Sequence, residues 1–286
     1  MTKHYITFSD VRFNLQKKIA ISSAKWIGGF DTAIGYGPDD IDINFQEKYK
    51  YILSIKTGLG CWLWKPYFIL KRLNEIEMND FLFYADAGSF FLNDIDILLN
   101  RVVDLEQDVF GFELPFIEKQ WTKKELFTYL DCEDDFYRES NQINGSFHLI
   151  RKTPRSVAFY QSYLKAACID RNIDGSCNKN IQDMEFIDHR YDQSIFSLFY
   201  KKNRNIVFQD PSQYGSQPHL YLDIESVIYD QLVTLPSGVM YKCKKYTSND
   251  NFIIFHYRKN NPFYRYIVYY AKRIKSKMLN GVKIKE

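Results

Sequence analysis

Cysteine is scarce and unpatterned: Cys61, Cys132, Cys168, Cys177 and Cys243 are scattered, odd in number and free of any CxxC spacing. That argues against a zinc site and against a disulfide framework, and it favours a reducing compartment. No apolar run reaches the length of a membrane span, and the opening MTKHYITFSD lacks the apolar core of a secretion signal. The expectation is a cytoplasmic protein. Internal repeats and low-complexity linkers are also missing. The first 256 residues have no basic excess; they sum to −5 of the total +3. A nucleic-acid binder usually carries its basic surface on the folded domain, so that partner is not expected.

What is present suits one large domain with a small appendage. The 286 residues are 45% hydrophobic, enough to bury a substantial core. Aromatic content is 17%, mostly Tyr and Phe, beyond what a minimal core needs. Such an excess fits a protein that stacks on ring-shaped ligands such as sugars, and equally a genome biased toward these residues. Residues 257–286 hold nine Lys and Arg against Glu286 alone, a net +8, which suits a tail that seeks an anionic surface. The expected division is residues 1–260 as the working domain and 261–286 as a basic tail.

Along the chain, His4–Ser9 reads as a first strand and residues 14–26 as a helix ending near Gly28 and Gly29. A loop rich in Gly, Pro and Asp follows from Gly35 to Asp42, then a helix from about Phe45 to Ile55 and another running to about Asn74. Asp80–Ala85 is a short apolar run that suits a buried central strand. Further strands are expected at Val109–Glu113, Gly145–Ile150 and Ile206–Gln209, with helices at 154–168 and 190–201. Strands alternating with helices predict an α/β fold, an open, mixed but mainly parallel sheet covered on both faces. Ligands of such sheets bind beyond the carboxyl ends of the strands, so motifs just after predicted strands carry most weight.

Five segments stand out. Asp86, in Tyr84-Ala-Asp86-Ala-Gly88 after the buried strand, could hold a divalent cation or simply cap the turn that Gly88 completes. Lys65, in Trp62-Leu-Trp64-Lys65-Pro66-Tyr67, sits near a helix start that Pro66 marks, a place suited to phosphate or sugar hydroxyls; the tryptophans read as core. Asn144-Gly145-Ser146 is a turn where small residues allow close approach of a ligand, although Asn-Gly is also a common hairpin turn. Asp188-His-Arg-Tyr-Asp192-Gln193-Ser194 opens a helix, with Asp192 and Gln193 either facing a ligand or serving the cap. His256 closes the apolar run Phe252–Phe255 and precedes Arg258 and Lys259; an imidazole suits manganese-like cations, and the two cations could meet a diphosphate, although a lone histidine is more often structural.

In this order the five segments resemble retaining glycosyltransferases of the GT-A fold, of the glycogenin and bacterial lipopolysaccharide galactosyltransferase type. The WLWKPY, YADAG and HRYDQS segments look closest to bacterial capsule and surface-polysaccharide sugar transferases. The resemblance covers roughly residues 4–260 and implies transfer of a hexose, with retention, from a UDP-sugar to a surface-polysaccharide or lipid-linked glycan. It puts Thr7, Phe8 and Ser9 at the nucleotide base and ribose, Lys65 at the donor, and Asn144 and Gly145 along the donor sugar. Asp86 corresponds to the first carboxylate of the family's DxD motif, Asp192 and Gln193 to the pair beside the anomeric carbon, and His256 to a metal-ligating histidine. The cofactor implied is Mn or Mg, bound by Asp86 and His256. Gly88 stands where the second DxD carboxylate is expected, which removes one ligand.

Two other readings belong beside this one. The missing carboxylate suits a degenerate protein that binds a nucleotide sugar without turnover. A nucleotidyltransferase would carry a Gly-rich phosphate loop after the first strand, where this chain has Asp10-Val-Arg-Phe. In the tail, Phe263, Tyr266, Ile267, Tyr270, Ile274 and Met278 fall at helical spacing among Arg and Lys. A helix of that kind lies on an anionic membrane surface, here the inner face, or docks on the protein body.

Overall fold

The computed structural model describes residues 1–246 and 252–257, together with Tyr264, Tyr266, Ile267, Tyr269 and Ala271 of the C-terminal segment. Arg258 and Lys259, and most of the expected tail 261–286, lie outside the described residues.

Eleven strands are found among the described residues: β1 (Lys3–Phe8), β2 (Thr32–Tyr36), β3 (Phe81–Ala85), β4 (Ser89–Phe91), β5 (Val109–Ile117), β6 (Asn141–Ile143), β7 (Phe147–Arg151), β8 (Val207–Gln209), β9 (Leu232–Thr234), β10 (Met240–Lys242) and β11 (Ile254–His256). The main sheet has the order β2-β1-β3-β7-β5-β10-β9, with β6 and β8 also paired to β5. β1, β2, β3, β5 and β8 run in one direction, and β7 is inserted in reverse between β3 and β5. The sheet is therefore mixed, with most strands parallel in direction, as the alternation of strands and helices predicted.

The two-residue period of the strands builds a core on each face. Ile6, Phe8, Leu82 and Tyr84 point to one side, against Phe68 and Ile69 of the Trp64–Glu75 helix and Phe196 of the Tyr191–Lys202 helix. Tyr5, Phe81, Phe83 and Ala85 point to the other, against Ala20 and Ala24 of the Asn14–Trp26 helix. Small residues on that helix let it lie close to the sheet. Every residue of β3 is buried, as its unbroken apolar run required.

Three local differences from the sequence reading have physical causes. The helix expected from about Phe45 to Ile55 is two short helices, Ile43–Lys48 and Lys50–Leu53, because Tyr49 at φ −113°, ψ 25° leaves the helical region between them. β2 occupies Thr32–Tyr36, which reached into the expected loop; pairing with β1 decides it, since the segment is too short and too mixed to announce a strand. Ahead of the Trp64–Glu75 helix, five successive residues, Gly58 to Trp62, all take positive φ. For Leu59, Cys61 and Trp62 this left-handed backbone costs about 1–2 kcal/mol each, and Gly58, Leu59 and Trp62 of this segment line the cleft described next.

Candidate active site

β1, β3 and β5 end at one side of the sheet, and a cleft of about 900 Å³ opens there. Phe8 and Ser9 line it from the end of β1, Asp86, Ala87 and Gly88 from the turn after β3, and Leu114 and Phe116 from β5. Lys65, Gly145, Ser146, Asp192, Gln193 and His256 complete the centre of its lining. A crevice beyond the carboxyl ends of the strands is where an open α/β sheet binds its ligand.

At the centre lies a buried charge cluster. Lys65, in the first turn of the Trp64–Glu75 helix, is only 3% exposed, as is Asp192, in the first turn of the Tyr191–Lys202 helix. The Lys65 ammonium stands 2.7 Å from Asp192 Oδ2 and 3.7 Å from Asp86 Oδ1, and donates a hydrogen bond of 2.8 Å to the Gly145 carbonyl. Burial disfavours the ammonium, but Asp192 and Asp86 outweigh it and hold the Lys65 pKa above its ordinary value. One cation thus ties two carboxylates from distant helices and strands to the Asn144–Ser146 turn.

Asp86 is held from all sides. Its N–H donates to Ser146 O at 3.0 Å, its carbonyl accepts from Ser89 Oγ at 2.6 Å, and its Oδ1 accepts from the Tyr84 hydroxyl at 2.5 Å. Burial, reinforced by Asp86, pushes the Tyr84 phenol well above its ordinary pKa, so it remains a donor. β11 pairs with β4 so that His256 lies opposite Ser89, and Tyr257 N–H bonds Gly88 O at 2.9 Å. This pairing brings His256 from the far end of the chain to the Asp86–Gly88 turn. Its imidazole meets Phe147 and Tyr214 edge to face.

Gln193 Oε1 accepts from Gly145 N at 3.0 Å. A β-carbon at Gly145 would sit 3.0 Å from Gln193 Cβ, a tight contact that Gln193 would have to relieve by a few tenths of an ångström. Phe8 stacks on Trp64 with ring centroids 3.9 Å apart, forming a flat aromatic wall.

Two expected ligand contacts do not reach the cleft. Thr7 is buried on the Tyr5 side of the sheet, because strand alternation sends it opposite to Phe8. Asn144 spends its carboxamide within the protein: Oδ1 accepts from Ser146 N at 2.8 Å and Nδ2 donates to Asp210 Oδ2 at 2.7 Å. It shapes the turn that carries Gly145. Lys65 also differs from a free donor-binding cation, since its ammonium is ion-paired with Asp192 and donates a hydrogen bond to Gly145 O. Cations that the sequence reading passed over line the cleft instead: Arg12, Lys56 and Arg190. Arg12 lies in the short Val11–Phe13 turn of helix beyond β1, paired with Asp10 at 2.6 Å, and Arg190 packs over Trp121 at 4.2 Å.

The described residues contain no cluster of three or more His, Cys, Asp or Glu side chains able to hold a metal. Asp86 and His256, the two expected metal ligands, both line the cleft, one a carboxylate and the other an imidazole.

No family model matches the chain, and no curated protein matches its sequence. Among solved structures the chain is similar to mouse xyloside xylosyltransferase 1 in its apo form, at 10% identity over 90% of this chain and 97% of that one, TM-score 0.49. It is similar to galactosyltransferase LgtC in complex with donor and acceptor sugar analogs, at 13% identity over 91% and 87%, TM-score 0.47. It is also similar to glycosyltransferase GlyE of Streptococcus pneumoniae, at 14% identity over 90% and 55%, TM-score 0.41. What the chain does is read below from its cleft.

Proposed function

We propose that this chain is a glycosyltransferase that moves a hexose from a nucleotide diphosphate donor, UDP-linked, to a surface-polysaccharide or lipid-linked glycan acceptor with retention. The observation that supports this reading is the meeting of Asp86, Lys65, Asp192, Gln193 and His256 around one cleft at the carboxyl ends of β1 and β3.

In this reading Phe8 and Ser9 flank the nucleoside, and Arg12 and Lys56 face the diphosphate. A divalent cation on Asp86 and His256 would neutralise charge that builds on the leaving diphosphate. Negative charge on the diphosphate grows as the glycosidic bond lengthens, so cationic groups aimed at it stabilise the transition state more than the ground state. Asp192 and Gln193 stand beside the sugar, where Asp192 supports positive charge at the anomeric carbon and Gln193 orients the ring. Lys65, placed between the two carboxylates, holds Asp86 and Asp192 in register.

The deciding experiment is hydrolysis and binding across a panel of nucleotide sugars with Mn, Mg or chelator. Turnover of at least one donor, abolished by Asp86→Asn, supports the reading; failure to bind or hydrolyse any donor ends it. Gly88 in place of a second carboxylate favours one other reading, a non-catalytic binder, which binding without hydrolysis or transfer would select.

Attachment to an anionic membrane face is proposed for the tail. Tyr266 and Tyr269 pack on Phe90, Phe252 and Phe255 of the body, whereas Tyr264 and Ile267 are 67% and 66% exposed. Exposed apolar side chains in a segment with net +8 suit an anionic lipid surface. Sedimentation of the full chain with anionic, and not neutral, liposomes is the expected result; no sedimentation removes the proposal.

A further inference from the structure

A second buried polar system runs back from the cleft wall, anchored on Glu118 and Lys201, which the sequence did not single out. Glu118, which follows β5, is fully buried. Its Oε1 accepts from Thr122 Oγ1 at 2.5 Å and from Gln142 Nε2 at 2.9 Å. Its Oε2 accepts from the Ser197 hydroxyl and from the Lys201 ammonium, the latter at 2.6 Å. Four donors surround one carboxylate, and Lys201 supplies the countercharge, as a buried anion requires.

Direction then propagates. An ionised carboxylate only accepts, so the Gln142 amide must turn its NH2 toward Glu118 and its oxygen away. That oxygen accepts from Gln193 Nε2 at 2.7 Å. Gln193 must in turn point its NH2 at Gln142 and its oxygen at Gly145 N–H, where it accepts at 3.0 Å. Gln193, Ser197 and Lys201 are spaced by four residues on the Tyr191–Lys202 helix, so one helix face carries both ends of the relay. The directions agree at every link. Gln193 is left with one N–H and one oxygen lone pair beyond these bonds, and its side chain lines the cleft.

We infer that Glu118, acting through Gln142, sets which way round the Gln193 carboxamide faces the cleft, and so which edge of it meets the ligand. Glu118 and Gln142 are positioning residues in this scheme, and the scheme rests on Gln193 facing the donor sugar. A carboxamide is nearly symmetric in shape, so packing alone discriminates poorly between its two orientations. A chain of amides ending on a buried carboxylate removes the ambiguity.

The test compares two variants by donor-hydrolysis kinetics and by the side-chain amide signals of 15N-labelled full-length protein, with the Gln193 pair identified by its loss in Gln193→Leu. Gln142→Met fills the same space without an acceptor. It should lower kcat about 10- to 100-fold, leave KM near the wild-type value, and shift the Gln193 amide pair toward that of a free glutamine. The exchange Glu118→Gln with Gln142→Glu keeps the total charge and still presents a carboxylate oxygen to Gln193 Nε2. It should retain both kcat and the Gln193 signals. If Gln142→Met leaves kcat and the Gln193 signals unchanged, or if the folded exchange variant behaves like Gln142→Met, the relay does not orient Gln193. Should the wild type hydrolyse no donor, the function reading fails, while the amide signals still decide the relay.

Discussion

Lys65 Nζ and Asp192 Oδ2 stand 2.7 Å apart with both side chains buried, so neither charge is compensated by water. Removing one member of such a pair leaves the other stranded in a low-dielectric site. Lys65→Met and Asp192→Asn are each expected to lower unfolding stability, Lys65→Met by about 3–5 kcal/mol. The double variant should recover much of that loss without recovering turnover. Urea denaturation alongside donor hydrolysis checks both halves; additive stability losses would show that the two groups do not interact.

Gly145 and Gln193 are in close contact, with a β-carbon at residue 145 placed 3.0 Å from Gln193 Cβ and 3.3 Å from its Cα. Gly145→Ala should therefore push the Gln193 helix start away from the turn. About 1–3 kcal/mol of stability is expected to go, with a kcat loss of about 10-fold or more. A thermal melt and a kinetic assay on the same preparation separate the two effects, and an active, undisturbed alanine variant would refute the contact.

Asn144 joins the buried Asp210 to the turn before β7, with Asp210 itself raised above the usual carboxylate range by burial. Asn144→Ala strands one Asp210 oxygen and frees Ser146 N–H, at a cost of about 1–3 kcal/mol. The outcome expected is lower stability with donor KM little changed, since the carboxamide does not line the cleft. A selective rise in KM would return Asn144 to the role of a ligand contact.

His189 and His148 are both buried and neutral. Burial, with Lys123 adding to it, lowers His189 to about 3, and burial with Lys65 lowers His148 well below its ordinary value. Each imidazole protonates in the unfolded chain near pH 6.5 and resists protonation in the fold. The unfolded state thus binds more protons below that pH, and stability falls as pH drops from about 6.5 toward 3, by up to about 1.4 kcal/mol per pH unit for each histidine. Urea midpoints between pH 8 and pH 5 should be flat at the top and decline below pH 6.5. His189→Gln should flatten that decline; an unchanged slope would assign it elsewhere.

Much of the fold was legible because it depends on local pattern. The Asn14–Trp26, Trp64–Glu75 and Pro154–Ala167 helices fall close to where the sequence placed them, Pro66 marking the start of the second, and β3 is the buried strand that its apolar run announced. β2 was not legible, because a five-residue edge segment is a strand only by virtue of its partner β1. Within the site, Asp86, Asp192, Gln193 and His256 were visible as polar residues at predicted element ends, and all four line the cleft. Thr7 was misplaced by one step of strand alternation, and Asn144 by hydrogen bonds to partners far along the chain. Glu118 and Lys201 left no signal, and nothing in the sequence joins them to Gln142 of the polar turn as a set.

By itself the amino-acid order determined where the longer helices and the central strands β1 and β3 lie, the alternation that covers a sheet on both faces, and the polar residues that end those strands. Those properties follow from interactions between residues a few positions apart. Tertiary structure alone decided that Lys65 is shared between Asp86 and Asp192, that His256 arrives beside the Asp86 turn through β11, and that Gln193 is oriented from behind by Glu118. Those are contacts between residues brought together from distant parts of the chain, where burial and hydrogen-bond direction, rather than local propensity, set the outcome.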